Sequence, residues 1–182
     1  MRAICCICVC CLLASTAFSA VLRVPSEYAT LEEAVIAAAA GDTVLVASGT
    51  YVGTGNCNVV IGKSITIRSE HGPRTCIIDC QSEQEFGVAA IAFSGSHEVT
   101  SVLDGFTITN ARFGGVRTGI NPKVHIKNCI ISGNSSGIRA MSPDVVVENC
   151  VITGNLARTT VNQLGESSLG YGGGILYHGS GL

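Results

Sequence analysis

From Thr43 onward, apolar and polar residues alternate in short runs separated by Gly, Asn, Ser and Pro. That is the period-2 signature of strands and turns rather than the 3.6-residue period of a helix. The segments Val124-His-Ile-Lys-Asn-Cys-Ile-Ile-Ser-Gly-Asn134 and Val145-Val-Val-Glu-Asn-Cys-Val-Ile-Thr-Gly-Asn155 are one unit written twice, 21 residues apart. Each holds an alternating run, an Asn, a second alternating run and a closing Gly-Asn, so it predicts two strands joined by a tight turn. Such a unit cannot bury its own apolar face and must stack on a copy of itself.

Aligning the repeats yields three strand families. One holds Ile65-Thr-Ile67, Ser101-Val-Leu103, Val124-His-Ile126 and Val145-Val-Val147; the next holds Cys76-Ile-Ile78, Phe106-Thr-Ile108, Cys129-Ile-Ile131 and Cys150-Val-Ile152. Val88 to Phe93, Gly115-Val-Arg117, Gly137-Ile-Arg-Ala140 and Gly174-Ile-Leu176 make the third. Three strands per turn predict an all-β parallel β-helix, with equivalent residues stacked roughly 4.8 Å apart. Inward ladders are expected at Cys76/Phe106/Cys129/Cys150, Ile78/Ile108/Ile131/Ile152 and Leu103/Ile126/Val147, with cysteine acting as a small hydrophobe. An outward charge ladder is expected at Arg74, Asp104, Lys127 and Glu148, its signs alternating to disfavour register slips. Asn128 and Asn149 fall in the tight turn, where Asn tolerates the left-handed region and can stack amide on amide.

The N-terminal region reads differently. Val21 to Val24 suits a short strand, and Thr30-Leu-Glu-Glu33 is a capping box opening a short helix from Leu31 to Ala40, stopped by Gly41-Asp42. Leu31, Ala34, Val35 and Ala38 share the apolar face of that helix. Ahead of it, one positive charge and an apolar run of about a dozen residues predict a signal peptide over residues 1–19. Ala17 and Ser19 suit the −3 and −1 sites, with cleavage after Ala17 as the alternative and a retained anchor as the rival reading. The mature domain is then 20–182, in a secreted or cell-surface location, with no membrane span.

Net charge is −2 and charged residues are 13 %, which gives no electrostatic basis for nucleic-acid or anionic-membrane binding. Half of the ten cysteines lie in the leader; Cys57, Cys76, Cys80, Cys129 and Cys150 remain. Their odd number argues against a complete disulfide framework. Spacing leaves open whether Cys57 and Cys80 pair, and in-register side chains argue against a Cys129–Cys150 bond.

The stretches Val24-Pro-Ser-Glu-Tyr-Ala-Thr-Leu-Glu-Glu-Ala-Val and Gly41-Asp-Thr-Val-Leu-Val-Ala-Ser-Gly-Thr-Tyr51 resemble the N-terminal cap of pectin-lyase-like right-handed parallel β-helix proteins. Lys63-Ser-Ile-Thr-Ile-Arg-Ser-Glu-His-Gly-Pro73, Cys76-Ile-Ile-Asp-Cys80, Leu103-Asp-Gly-Phe-Thr-Ile-Thr-Asn110 and Gly172-Gly-Gly-Ile175 are similar to repeats of exported bacterial members. The resemblance implies that the Gly137-Ile-Arg family is the first strand of each coil, the face that carries the active site in pectate lyases. It also implies that the helix plugs the first coil. With no second plug evident before Leu182, the sequence is expected to be truncated at its C-terminus and continuous with further coils in the full protein.

Chemistry is sparse. A lyase acting on acidic polysaccharide needs carboxylates around Ca²⁺ and a basic residue; a hydrolase needs paired Asp. Asp42, Asp79, Asp104 and Asp144 form no such pair, Glu83 and Glu85 lack a partner cluster, and no metal site or cofactor is expected unless the lyase alternative brings Ca²⁺. His71, His97, His125 and His178 are scattered among turns and outward positions with no Ser or Cys placed to make a nucleophile–base pair, and read as solvated. Asn134-Ser-Ser136 fits an N-glycosylation acceptor, meaningful only in a eukaryotic secretory host. Arg117 and Arg139 align one coil apart on the presumed first strand, and such paired forks suit repeated carboxylates; the long loop Leu156 to Tyr171 borders them. The expected function is carbohydrate or other surface-ligand binding, with a pectate-lyase-type enzyme and a structural or adhesive β-helix as alternatives.

Overall fold

The computed structural model describes residues 19–81, 89–96, 99–156, 160–161, 167–168 and 173–177. The chain enters through β1 (Val21–Val24) and α1 (Leu31–Ala37), then winds through β2 (Thr43–Val46), β3 (Gly49–Val52) and β4 (Val59–Ile61). The second coil is β5 (Thr66–Ser69), β6 (Cys76–Asp79) and β7 (Ile91–Phe93), and the third is β8 (Ser101–Asp104), β9 (Thr107–Thr109) and β10 (Val116–Thr118). Next come β11 (Val124–Lys127), β12 (Ile130–Ser132) and β13 (Ile138–Ala140), then β14 (Val145–Glu148) and β15 (Val151–Thr153). A short antiparallel ribbon, β16 (Thr160–Val161) with β17 (Ser167–Ser168), precedes β18 (Ile175–Tyr177), which closes the fifth coil.

Three parallel sheets form the walls. Sheet I is ordered β1-β2-β5-β8-β11-β14, sheet II β3-β6-β9-β12-β15 and sheet III β4-β7-β10-β13-β18. The protein is thus an all-β parallel solenoid with three strands per coil, the architecture its repeats predict. Among the described residues no helix is long and apolar enough to cross a membrane.

The inward ladders are as expected. Ile78, Ile108, Ile131 and Ile152 stand in register along sheet II, and Ile67, Leu103, Ile126 and Val147 along sheet I. All but the last member of each are fully buried, and burying each such side chain contributes roughly 1.5–3 kcal/mol. Cys76, Phe106 and Cys129 are buried beside them, while Cys150 is only half-buried.

The turn from sheet I to sheet II uses the left-handed region on successive coils: Gly105 (φ 82°), Asn128 (φ 53°) and Asn149 (φ 50°). Asn149 Nδ2 donates to Asn128 Oδ1 at 2.7 Å, and Asn128 Nδ2 to Asp104 Oδ1 at 2.7 Å, so the amides do stack along the axis. A second ladder, unread in the sequence, lies at the turn leaving sheet II. There Asn134 is buried; its Nδ2 donates to Ile108 O and Asn155 Oδ1, both at 3.0 Å, and its Oδ1 accepts from Ala111 N at 2.9 Å. With its amide so engaged, Asn134 is no glycan acceptor in the folded chain, contrary to the motif.

Two further expectations need correction. The outward charge ladder runs Arg68, Asp104, Lys127, Glu148, and Arg74 lies instead in the turn before β6. Lys127 Nζ reaches Asp104 Oδ2 at 3.6 Å, so Asp104 is the ladder partner the alternation predicts. The helix keeps its capping box and its buried face of Leu31, Ala34, Val35 and Ala38, but it ends at Ala37 rather than Ala40. The reason is local competition: Asp42 Oδ2 takes the Ala39 N–H at 2.8 Å, and Lys63 Nζ donates to Ile36 O (3.0 Å) and Ala38 O (2.6 Å). A side-chain acceptor has replaced the helical one. Packed against β1, β2 and β4, α1 fills the first coil.

Candidate ligand-binding face

On the outer surface of sheet III one column reads Val60, Ala92, Arg117, Arg139, Leu176. The two arginines therefore stand side by side on adjacent rungs, β10 and β13, as their alignment predicts. Both are half-buried. Their positions follow from the inward neighbours: Val116 and Ile138 are buried, so pleating turns the next residue outward.

Two devices hold the face in place. Inward-pointing Thr118 uses its Oγ1 to accept from Met141 N (3.1 Å) and Ser142 N (3.4 Å), fixing the turn after β13 so that Met141 Sδ meets Arg117 Nη2 at 3.8 Å. Gly115 and Gly137 precede β10 and β13. A Cβ on Gly115 would strike Ile131 Cγ2 and one on Gly137 would strike Ile152 Cγ2 and the Gly174 carbonyl. Glycine is required there by close packing against sheet II, not by a left-handed backbone.

At the corner leading into β10 a recess of about 50 Å³ is lined by Ala111, Arg112, Gly133, Asn134, Ser135, Gly154 and Leu156. Its buried floor, Asn134, is hydrogen-bonded within the chain, so Arg112 is the charged group it offers. The repeated Gly133-Asn134 and Gly154-Asn155 pairs were the sequence signal for this corner, legible only as a closing turn. Of the loop Leu156 to Tyr171, the ribbon β16–β17 and exposed Leu156 are described; residues 157–159, 162–166 and 169–171 lie outside the described residues, as do Glu83, Glu85, His97 and His178.

The carboxylates stay apart. Asp42 is tied to the N-terminal turn; Asp79 Oδ1 accepts from Gln81 N (3.0 Å) and Asn110 Nδ2 (2.8 Å); Asp104 belongs to the sheet I ladder; and Asp144 is exposed after Pro143. Among the described residues no group of three or more His, Cys, Asp or Glu could hold a metal. His125 Nε2 pairs with Glu148 Oε2 at 2.8 Å. Ser48 Oγ lies 3.3 Å from His71 Nδ1. Glu70 approaches that same nitrogen at 3.8 Å, so it cannot orient the ring as a base for Ser48, and the group is exposed.

Cysteine chemistry is divided. Cys57 and Cys80 form a disulfide, Cα–Cα 5.6 Å, which settles the pairing spacing left open. Cys76, Cys129 and Cys150 are free. Burial pushes the Cys76 thiol up to about 12. Hydrogen bonding to the Cys150 sulfur, together with burial, raises Cys129, and the same bond lowers Cys150 to about 7. Cys150 Sγ also receives the Cys129 N–H at 3.4 Å.

No family model, curated protein or solved structure matches the chain.

Proposed function

We propose that the chain is an exported carbohydrate-binding β-solenoid of pectin-lyase-like type, and that an acidic polysaccharide lies along the outer face of sheet III. The observation that carries this reading is the in-register pair Arg117–Arg139. Two planar forks one rung apart present donors at a spacing of roughly 4.8 Å, and each can take a carboxylate through two parallel hydrogen bonds. A carboxylate about 4 Å from a guanidinium gains ~1 kcal/mol in bulk water and up to ~4 kcal/mol near a protein surface. Leu176, the partly exposed neighbour on the rung beyond Arg139, suits the hydrophobic face of a sugar ring.

Binding is favoured over pectate-lyase chemistry because the four aspartates lie in four separate places and form no cluster. The test is glycan-array binding of the exported protein beside an Arg117→Ala/Arg139→Ala variant, with Arg68→Ala on sheet I as the control. Acidic polysaccharides should bind the parent and the control and lose the double variant. Incubation with polygalacturonate and Ca²⁺ should give no rise in ultraviolet absorbance from unsaturated product; a steady rise would replace this reading with the lyase.

A further inference from the structure

The start of the solenoid places a buried carboxylate on one particular backbone nitrogen. Ala20 N lies 2.8 Å from Asp42 Oδ1, the Ala20 carbonyl accepts from Thr43 N at 2.9 Å, and Ser19 Oγ donates to Gly41 O at 2.7 Å. Asp42 is 8 % exposed, and its second oxygen is held by Ala39 N. The N–H of Ala39 first, then that of Ala20, and more weakly the charge of Lys63, keep its carboxyl below the usual carboxylate range against the opposing effect of burial. Lys63, whose Nζ sits on the Ile36 and Ala38 carbonyls, is the charged group facing the pair. The nitrogen addressed in this way is that of the residue following Ser19, the −1 position read from the leader.

We infer that Ser19–Ala20 is the processing bond, and that its hydrolysis converts the Ala20 amide into an α-ammonium that docks as an ion pair on Asp42. The inference rests on the export reading above. In the reaction a leader peptidase adds water across the C–N bond. The hydroxyl goes to the Ser19 carbonyl, which departs as a carboxylate with the upstream segment; the nitrogen takes the remaining proton and a second from solvent. One N–H donor becomes three, and a neutral hydrogen bond becomes a charge-assisted one. The exposed Ser19 hydrogen bond is lost in exchange. Cleavage after Ala17 would leave Phe18-Ser19 attached and the Ala20 nitrogen neutral, so the charge on that nitrogen distinguishes the two sites.

A free α-amine titrates near about 8, and the carboxylate raises that value in the folded protein. A raised folded value means the contribution is complete below about pH 8 and is lost as pH climbs through the higher folded value. The full-length chain, produced with its leader in a secreting host, should carry Ala20 as its first residue by mass spectrometry. Its α-amine, followed by the pH dependence of reductive dimethylation, should titrate above about 8 and return to about 8 in Asp42→Asn. The folding constant should fall about two- to fivefold between pH 7 and 10 relative to Nα-acetylated protein, which keeps every side chain and lacks only the charge. That comparison holds even if Asp42→Asn fails to fold. An exported chain beginning elsewhere, or an α-amine titrating at its ordinary value with Asp42 intact, overturns the inference alone. A chain retained with Met1 overturns the export reading as well.

Discussion

Replacing Asn134 with Ala removes the centre of the buried amide ladder. The substitution withdraws the acceptor from Ala111 N–H, the donor from Ile108 C=O and one of the two donors on Asn155 Oδ1, which keeps the backbone N–H of residue 134 at 3.0 Å. Ala111 and Ile108 are both buried, so water cannot substitute freely. Leaving a buried polar group unsatisfied costs about 1–3 kcal/mol. With Ala111 N–H bearing the full penalty and the Ile108 carbonyl part of one, the expected destabilisation is about 2–4 kcal/mol. Asn128 supplies the comparison. It is also a ladder amide, but its bonds to Asp104 and Asn149 lie nearer solvent and its φ is 53°. Asn128→Gly keeps the backbone freedom and should cost no more than about 1 kcal/mol, the size of an ordinary net hydrogen bond. Urea unfolding followed by far-ultraviolet circular dichroism measures both, read as a midpoint shift at unchanged slope. Equal costs for the two variants, or a cost under about 1 kcal/mol for Asn134→Ala, would refute the claim that the buried ladder holds the corner.

Gly137→Ala should destabilise by about 1–3 kcal/mol, as overpacking does, because its Cβ meets the Gly174 carbonyl and Ile152; a thermal midpoint at or above that of the parent would contradict this. Opening the Cys57–Cys80 bridge, which spans a sequence separation of 23, should cost about 3 kcal/mol by loop-closure entropy, whether by reductant or by Cys57→Ala/Cys80→Ala, and the two treatments should agree in calorimetry. Iodoacetamide should label Cys150 first, with a rate that reaches half its plateau near pH 7, while Cys76 resists because burial holds its thiol near 12; peptide mapping that finds all three equally labelled would count against the Cys129–Cys150 hydrogen bond.

The coil was legible because the repeats carry their own register. The units Val124–Asn134 and Val145–Asn155 stand 21 residues apart, and alternation fixes which residues point inward. Register failed where one turn differs in length. Counting back from Cys76 puts Arg74 where Lys127 stands before Cys129, yet two residues separate the sheet I and sheet II strands at Gly105-Phe106, Asn128-Cys129 and Asn149-Cys150 and six, Glu70 to Thr75, in the second coil. Counting forward from Ile67 gives Arg68, the residue in the ladder. The helix end was misjudged because Asp42 captures Ala39 N–H, a tertiary event that the Ala-rich run does not announce. Gly-Asn at 133–134 and 154–155 reads as a turn; that Asn134 is buried and that both amides bond between coils depends on three elements meeting at one corner. The candidate face was legible as far as the register of Arg117 and Arg139. Met141 beside Arg117, set by Thr118 from inside the coil, was not, since inward hydroxyl contacts leave no periodic trace.

The account turns most directly on calorimetric titration of oligogalacturonate into the parent protein, Arg117→Ala, Arg139→Ala and the double variant. Each single variant should lose at least about tenfold in affinity. The double should lose less than the sum of the two free energies, because forks on adjacent rungs share neighbouring carboxylates. Parent binding that survives the double substitution unchanged would contradict the claim that this face is the site.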